Sequence, residues 1–469
     1  MKILISTVFI RQIVNQTKAL IAGYLLLGMI VIEFICIPSE ISAGNNLIKN
    51  PGFEEPGNQP QYWTISGPLS TMQPLTSIDS KTSFSGKFSL KMQSSNPNCH
   101  GFARQVVDIK DNQTYLFSVY FKTNGVKSMD KSVLIRVKWL KDGNSIGYNY
   151  IYTYSEQKNG WFLASNKIKA LEGATQIEIS LVFRWGTGTV WWDDISVEPY
   201  ADVPPRNVKV GTVYCRPSGK TVEDNIKQMS ALIDQAGNSG CQIICLPEGW
   251  ATYNTGIGMK KHEANTLAGS ASRMLKEKAK EYGMYIVSGL YNWVGDTLYN
   301  VAVLYGRNGK IEGIFKKIQL PDAETEAGIV PGSSFPVFET DFGTIGMLVC
   351  WDYAFPEVAR NLALNGAEIL FCPIAGDVRG EDTWKIIARA RAVDNGVYFV
   401  TAIYDGHSVI VNPAGDVLKE SGEQNALIME TVDLNFIPPW DWIGNEGRGD
   451  WKGVWRKDRR ADLYGKALK

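Results

Sequence analysis

The pattern of hydrophobic residues changes once along the 469-residue chain, and this change limits the folds that the chain can adopt. Residues 45–200 contain short runs in which apolar and polar residues alternate, as in strands with one buried face. This part of the chain is predicted to form one all-β sandwich domain. Residues 201–207, which include Pro204-Pro205, are predicted to form a short, stiff linker.

The pattern differs from residue 208 to residue 469. Buried-strand patterns alternate with segments whose apolar residues recur every three or four positions, as on one helix face; Val222, Met229 and Ile233 belong to the first such segment. Asn308-Gly309 lies between two apolar runs and predicts a hairpin. Strands that alternate with helices predict an α/β sandwich for the second domain.

The charges of the chain balance, because Lys+Arg and Asp+Glu each number 48. No net field is available to attract a polyanion, so a nucleic-acid partner is not expected. His100, His262 and His407 lie far apart in the sequence, which argues against a metal site built from histidines. The seven cysteines are too few and too irregular for a disulfide framework, and Cys241 and Cys245 are expected to be core residues on one face of a strand.

The N-terminus is predicted to be a separate segment, residues 1–43, that acts as a signal peptide or as a membrane anchor. Basic residues precede an apolar run at 19–32, which is short for a bilayer span and suits a signal-peptide core. Ala43 is a suitable cleavage position. The chain is therefore expected to be exported to the periplasm or outside the cell, with anchoring through residues 19–37 as the alternative.

Three reactive side chains lie at the ends of predicted strands in the second domain. These are Glu248, Lys317 and Cys350. Each has a structural alternative, as a helix cap, a surface lysine or a buried thiol. In a layered α/β fold, loops that leave strand ends meet at one edge of the sheet, so the three could converge.

The second domain resembles the nitrilase superfamily of carbon–nitrogen hydrolases. The blocks that carry this resemblance are Leu246-Pro247-Glu248, Phe315-Lys316-Lys317-Ile318-Gln319-Leu320-Pro321 and Gly346-Met347-Leu348-Val349-Cys350-Trp351-Asp352 with Phe355-Pro356-Glu357. It implies a four-layer α-β-β-α sandwich, a homodimer or larger homo-oligomer, no cofactor and no metal. It also places a Glu-Lys-Cys catalytic triad on Glu248, Lys317 and Cys350. Gln319 and Lys316 replace the more usual His and Arg, which bears on substrate preference.

The chemistry of the three side chains fits this implied triad. A thiolate is the reactive form of cysteine, so Glu248 would take the Cys350 proton and later activate water. Lys317 would stabilise the oxyanion of the tetrahedral intermediate. Relatives often use a second glutamate after the lysine; Glu324 is preferred on spacing and Glu326 is the alternative.

The walls of the substrate pocket are less well defined by the sequence. Trp351, Trp250 and Tyr353 are predicted to contact the substrate, and Asp377 is a further candidate. For each of these residues, packing within the fold is the alternative interpretation.

The first domain resembles jelly-roll carbohydrate-binding modules with a galactose-binding-like fold. The resemblance rests on Asn46-Leu47-Ile48-Lys49-Asn50-Pro51-Gly52-Phe53-Glu54 and on Val190-Trp191-Trp192-Asp193-Asp194-Ile195-Ser196-Val197. Such modules bind sugars, and some hold a structural calcium ion. Four tryptophans could stack on a glycan, with core packing as the alternative; they are Trp63, Trp139, Trp161 and Trp185.

The sequence as a whole predicts an exported two-domain hydrolase that cleaves a non-peptide carbon–nitrogen bond in an amide or N-carbamoyl compound. Trp351-Asp352, in place of Trp-Glu, favours amides over nitriles. Nitrile hydrolysis and acyl transfer by the same superfamily remain open alternatives. A catalytically inactive or sugar-recognising binding protein is the competing class. Cys350 is expected to be a free thiol.

Overall fold

The computed structural model describes residues 46–55, 57, 60–376, 381–404, 406–441, 448–461 and 463–464. The predicted signal segment and Asp377 lie outside these residues. Apart from Asn46, the described residues belong to one compact unit, Leu47–Lys469. Within them, no helix combines the length and apolar character that a membrane crossing requires.

The N-terminal domain is built almost entirely from strands. The described strands are β1 (Thr64–Ser66), β2 (Leu75–Asp79), β3 (Ser89–Ser94), β4 (His100–Asp108), β5 (Thr114–Asn124), β6 (Val133–Lys141), β7 (Asn144–Ile151), β8 (Tyr154–Glu156), β9 (Trp161–Lys169), β10 (Gln176–Arg184) and β11 (Gly188–Tyr200), with one short helix, α1 (Met129–Ser132). The strands belong to two sheets, ordered β1-β4-β10-β6-β7 and β2-β3-β11-β5-β9-β8.

Both sheets contribute to one hydrophobic core. Phe117 of the second sheet packs edge-on against Trp139 of the first, with ring centroids 6.2 Å apart. Trp63 and Trp139 are buried in this core, and Trp161 is also buried, so these three indoles cannot stack on a glycan. Trp185 is only partly buried, and the Arg184 guanidinium lies 3.9 Å from its ring centroid. Core packing therefore accounts for Trp63 and Trp139, and burial also removes Trp161 from the accessible surface.

The second domain alternates strands and helices. Its described strands are β12 (Asn207–Tyr214), β13 (Ile243–Leu246), β14 (Tyr285–Val294), β15 (Thr297–Tyr305), β16 (Ile311–Lys316), β17 (Val337–Glu339), β18 (Thr344–Met347), β19 (Ile369–Ile374), β20 (Tyr398–Ile403), β21 (Val409–Val411), β22 (Val417–Glu420) and β23 (Ala426–Asp433). The helices are α2 (Val222–Asn238), α3 (Ser270–Tyr282), α4 (Asp322–Glu326), α5 (Pro356–Leu364) and α6 (Glu381–Asn395). The predicted hairpin is confirmed, because β15 and β16 pair antiparallel on either side of Asn308-Gly309.

These strands form one hydrogen-bonded sheet, whose main path is β16-β15-β14-β13-β12-β20-β19-β18-β17. Strands β12 and β20 meet at a single residue pair, Tyr214 with Ile403, so the path has a narrow junction in its middle. One core cluster draws on both halves, for example on Val287 and Phe371. Helices α5 and α6 contribute to this cluster, whereas α2 and α3 contribute to a second one.

The cysteines of the second domain are packed as small apolar residues. Cys241 and Cys245 are free and buried. They belong to different core clusters, so the prediction of a shared strand face is wrong. The reason is that β13 begins only at Ile243, and Cys241 precedes it.

The chain returns to the first domain near its C-terminus. Strands β24 (Pro439–Asp441) and β25 (Arg448–Asp450) extend the first sheet, where β25 pairs parallel with β7. Helix α7 (Trp451–Asp458) follows, and its Val454 packs with Tyr148 and Tyr150 of β7. The sequence prediction assigned residues 208–469 to the hydrolase domain and did not foresee this pairing.

Candidate active site

The ends of three strands bring the predicted site residues together. Glu248 follows β13 and Lys317 follows β16, while Glu324 lies in the short helix α4. Gly289 of β14 makes the close approach of Glu248 possible, because a Cβ atom at residue 289 would lie 2.6 Å from the Glu248 Cα atom. Lys317, Glu248 and Glu324 are all buried.

Lys317 binds both glutamates directly. Its Nζ atom lies 2.9 Å from Oε1 of Glu248 and 2.8 Å from Oε1 of Glu324. The backbone N–H of Ala375 donates to the other oxygen of Glu248, Oε2, at 2.9 Å. Glu326 is exposed, so the structure favours Glu324 as the second carboxylate. A buried ammonium with two carboxylates leaves the group of three with a net negative charge if both ionise.

Asn300 belongs to the same cluster, and the sequence analysis did not identify it. Its Nδ2 atom donates to Oε1 of Glu248 at 2.6 Å and to Oε1 of Glu324 at 2.8 Å. The signal that could have revealed it is a polar amide in the middle of the apolar strand β15. Such a residue needs a buried hydrogen-bond partner.

Cys350 begins a short turn, Cys350–Ala354, which we call the Cys350 turn. The backbone of Cys350 is left-handed, with φ of 45°, a conformation that side chains other than glycine adopt at an energetic cost. The residue is half-buried and its thiol is free, as expected. This strained backbone resembles the sharp turns that present nucleophiles in other enzymes.

The carboxylate of Asp352 fixes the Cys350 turn to the segment after Lys317. Its Oδ1 atom accepts the backbone N–H groups of Ile318 at 3.0 Å and Gln319 at 2.7 Å. Its Oδ2 atom accepts the N–H of Val349 at 3.1 Å. Asp352 thus links the residues beside Lys317 to the residue before Cys350.

The electrostatics of the cluster divide the roles of the two glutamates. Burial favours the neutral form of Glu248, but Lys317 and Asn300 outweigh it and lower its pKa. Burial and the charge of Glu248 raise the pKa of Glu324. Burial opposes the charge of Lys317, yet the negative groups around it raise its pKa. These directions favour an ionised Glu248 and a charged Lys317, and they make Glu324 the glutamate that more readily holds a proton.

The thiol of Cys350 is neutral in this environment. Burial raises its pKa, the negative charge of Glu248 raises it further, and Lys317 acts in the opposite direction. A neutral thiol needs a base that removes its proton as it attacks. Glu248, whose negative charge is close enough to raise the pKa of the Cys350 thiol, is the base at hand.

A cavity of about 400 Å³ opens beside this cluster. Tyr253, Tyr291 and Tyr404 line it, and Lys260 adds a positive charge to its wall. Burial and the nearby charge of Glu248 both raise the pKa values of the Tyr291 and Tyr404 hydroxyls, so these two lining residues lie near Glu248. The cavity is large enough for a small molecule.

Of the three predicted wall residues, the structure leaves only Trp351 accessible. Its side chain is 42% exposed and lies next to Cys350. Trp250 is fully buried and donates its Nε1–H to the Ser288 hydroxyl, so it is a core residue. Tyr353 is also buried and stacks on Trp384 at a centroid distance of 4.5 Å. Packing within the fold therefore accounts for the positions of Trp250 and Tyr353.

No group of three or more metal-binding side chains with the arrangement of an ion site occurs among the described residues. The chemistry that the described cluster offers is that of a thiol, a base, a fixed cation and a second carboxyl group. Such a set suits nucleophilic acyl transfer, in which a tetrahedral oxyanion forms and collapses.

The chain is similar to known carbon–nitrogen hydrolases. Residues 209–441 match the family model described as carbon-nitrogen hydrolase, and residues 45–180 match one described as carbohydrate binding domain. The omega-amidase NIT2 of Danio rerio is 30% identical over 240 residues, which cover 46% of this chain and 86% of the relative. A probable nitrilase of Schizosaccharomyces pombe is 30% identical over 278 residues, covering 55% of this chain and 98% of that protein.

A solved structure of an amidase from Nesterenkonia AN1 is 25% identical, covers 57% of this chain and 100% of that chain, and has a TM-score of 0.47. The matched sequences place an amidase-like carbon–nitrogen hydrolase domain after an N-terminal carbohydrate-binding domain. The chain belongs to the nitrilase superfamily of carbon–nitrogen hydrolases.

Proposed function

We propose that this enzyme hydrolyses an amide through a thioester on Cys350, with Glu248 as base and Lys317 as oxyanion partner. The observation that carries the proposal is the buried Lys317, held between Glu248 and Glu324 beside the strained Cys350 turn. Relatives named as an omega-amidase and as an amidase support an amide substrate.

In the first half-reaction Glu248 removes the Cys350 proton as the sulfur attacks the carbonyl carbon of the amide. Two of the three Lys317 N–H groups bind the glutamates, so the third is left for the developing oxyanion. The nitrogen takes a proton from Glu324, whose pKa is raised, as the C–N bond breaks, and Glu248 then passes the proton from Cys350 on to Glu324. Glu248 is therefore ionised again, and Glu324 is protonated again, before the second half-reaction. Ammonia or an amine leaves and a thioester remains.

In the second half-reaction Glu248 deprotonates a water molecule, which attacks the thioester carbonyl carbon. Lys317 again faces the oxyanion. The C–S bond then breaks, the carboxylic acid leaves, and the sulfur regains a proton. An intact cluster of this kind argues against the alternative of a binding protein without activity, because the buried charges of Lys317, Glu248 and Glu324 cost stability unless they serve a purpose.

The layering of the second domain belongs to the same proposal. We infer a four-layer α-β-β-α sandwich, in which the single pair Tyr214–Ile403 separates two stacked halves of the sheet. The core cluster that both halves share supports this arrangement, as does the separate cluster under α2 and α3. The N-terminal domain would be a jelly-roll sandwich whose glycan partner gives the enzyme its location.

Export through residues 1–43, with anchoring through 19–37 as the alternative, and assembly as a homodimer or larger homo-oligomer complete the proposal. Both rest on the sequence pattern and the family resemblance. N-carbamoyl compounds, nitriles and acyl transfer are alternatives that share the thioester, and the same experiment separates them.

Intact-protein mass spectrometry tests this function. The full chain is incubated with primary amides, N-carbamoyl amino acids and nitriles, and released ammonia is measured in parallel. We expect a substrate-sized adduct on Cys350 that is absent from Cys350→Ala and that both forms and decays most slowly in Glu248→Gln. Cys99→Ala, which removes a buried thiol of the first domain, is the matched control and keeps the adduct. Absence of both adduct and ammonia from the wild type would overturn the proposal in favour of a binding protein.

A further inference from the structure

Asn300 is connected to the catalytic candidates through both its backbone and its side chain. Its carbonyl oxygen accepts the backbone N–H of Lys317 at 2.9 Å. The residue is 1% exposed, and its side-chain amide lies against two carboxylates rather than against water. Asn300 thus hydrogen-bonds to Lys317, Glu248 and Glu324 at the same time.

The hydrogen bonds of Asn300 and Lys317 are parallel. The Nδ2 group of Asn300 has two hydrogens, and each binds one glutamate. Lys317 binds the same two atoms, Oε1 of Glu248 and Oε1 of Glu324. Each Oε1 atom therefore accepts two hydrogen bonds, which is its ordinary capacity.

Of the two oxygens of Glu248, Oε2 is then the one with room for another proton. Its Oε2 atom accepts one hydrogen bond, from the backbone N–H of Ala375 at 2.9 Å. One lone pair on Oε2 is left for the proton of the Cys350 thiol. Without Asn300, Oε1 would regain a lone pair and the carboxylate would lose a constraint on its rotation.

We propose that Asn300 is a positioning residue that holds Glu248 and Glu324 around Lys317, so that Oε2 of Glu248 is the atom that accepts the Cys350 proton. This inference rests on the proposed function and adds a residue to it. As a neutral donor, Asn300 stabilises the ionised form of Glu248 without adding a second cation that would neutralise the site. The lowered pKa of Glu248 agrees with this role.

Several other titratable groups face Glu248, and each affects its ionisation. They come from different elements of the second domain and are Lys317, Glu324, Cys350, Tyr291 and Tyr404. A test of Asn300 must therefore leave all of them in place. Replacement of Asn300 alone meets this condition.

Alkylation of Cys350 by iodoacetamide tests the proposal without any amide substrate. The C–S bond forms, the C–I bond breaks, iodide leaves, and the thiol proton passes to Glu248. The rate, followed by peptide mass spectrometry, should fall at low pH where Glu248 is protonated. We call this fall of the rate at low pH the acid limb of the pH–rate profile. Removing the Asn300 donors raises the pKa of Glu248, so the acid limb should move to higher pH.

We expect Asn300→Leu to shift this limb upward by about one pH unit, because it removes two donors to a buried carboxylate pair. Asn300→Ser, whose hydroxyl can restore one donor, should shift it less and serves if Asn300→Leu does not fold. Asn292→Ser is the matched control; it changes a buried asparagine of β14 that accepts a bond from Leu267 instead. It should leave the limb in place.

The possible results distinguish a failure of the Asn300 role from a failure of the proposed function. An unchanged limb in both Asn300 variants, or an equal shift in Asn292→Ser, would overturn the role of Asn300. Glu248→Gln should abolish the limb; if the limb persists there, Glu248 is not the base and the proposed function itself fails. The two conclusions therefore depend on different variants.

Discussion

Asp352 accepts the backbone N–H of Gln319 at 2.7 Å, and so joins the Cys350 turn to the segment that follows Lys317. The same carboxylate holds the N–H of Val349. The distance between the Lys317 ammonium and the Cys350 thiol therefore depends on the Asp352 side chain, which lies outside the residues that line the cavity and outside the hydrogen bonds of the two glutamates.

The buried position of Asp352 predicts an unusual dependence of stability on pH. Burial raises the pKa of its carboxyl group to about 7, although backbone N–H groups oppose this. A group with a raised pKa stabilises the fold most below its unfolded pKa of about 4, and this contribution is lost as the pH rises towards 7. The stability of the wild type relative to Asp352→Asn should therefore decline over this interval, by up to about 1.4 kcal/mol per pH unit.

Thermal unfolding of both proteins at a series of pH values checks this expectation through the difference in Tm. Asp142→Asn removes an exposed carboxyl group and corrects for the change in net charge. A difference in Tm that stays constant from pH 4 to pH 7 would contradict the expectation.

Glu324 and Glu326 offer a matched pair of substitutions. Glu324 is buried and lies 2.8 Å from the Lys317 ammonium, whereas Glu326, on the same short helix, is exposed. We expect Glu324→Gln to lower kcat by about 100-fold, because a positioned proton donor typically contributes a factor of this order. Glu326→Gln should keep the wild-type rate. Steady-state kinetics with an amide found in the mass-spectrometric panel measures kcat for both variants. Equal losses of kcat would show that the contact of Glu324 with Lys317 does not determine the rate.

The tryptophans at 250 and 351 should respond in opposite ways. Trp250 is fully buried, so Trp250→Ala should cost about 3–5 kcal/mol of stability, as large core truncations do. Trp351→Ala removes an exposed side chain beside Cys350 and should raise KM while Tm stays within a few degrees. Thermal unfolding and KM, measured on both variants, check this. A Tm of Trp250→Ala equal to that of the wild type would contradict the core position of Trp250 and favour its position in the cavity wall.

We expect the packing of Val454 to anchor helix α7 on the first domain. This side chain is buried against Tyr148 and Tyr150, and Arg184 donates to the Lys457 carbonyl oxygen at 3.0 Å. A charge in this apolar contact is costly, so Val454→Asp should release the helix and lower Tm by several degrees. Limited proteolysis should then cut after residue 450 faster than in the wild type. Val294→Asp, at an exposed valine, is the control.

Local patterns in the sequence were sufficient for part of the site. Glu248 and Lys317 each follow a segment whose strand character is visible in the sequence. The hairpin at Asn308-Gly309 positions the strand that leads to Lys317. Asn300 and Asp352 were missed because their roles arise from contacts with residues far along the chain. The sequence placed Trp250 at the substrate pocket for a related reason. Its position shows that a tryptophan is near a site residue, but not on which side of the strand the indole ring lies.

Strands β24 and β25 were beyond prediction because three-residue segments carry no readable period. Strand β25 pairs with β7, about 300 residues earlier, and no local pattern reports such a distant pairing.

The pairing of β25 with β7 also imposes an order on synthesis. The edge of β7 stays unpaired until residue 450 has been made, by which time the whole hydrolase domain precedes it on the chain. An unpaired edge strand can join another chain and aggregate. Strand β25, which is made after the hydrolase strands, is therefore the one that covers the β7 edge of the first domain, and a chain that stops before residue 448 leaves that edge open to other molecules.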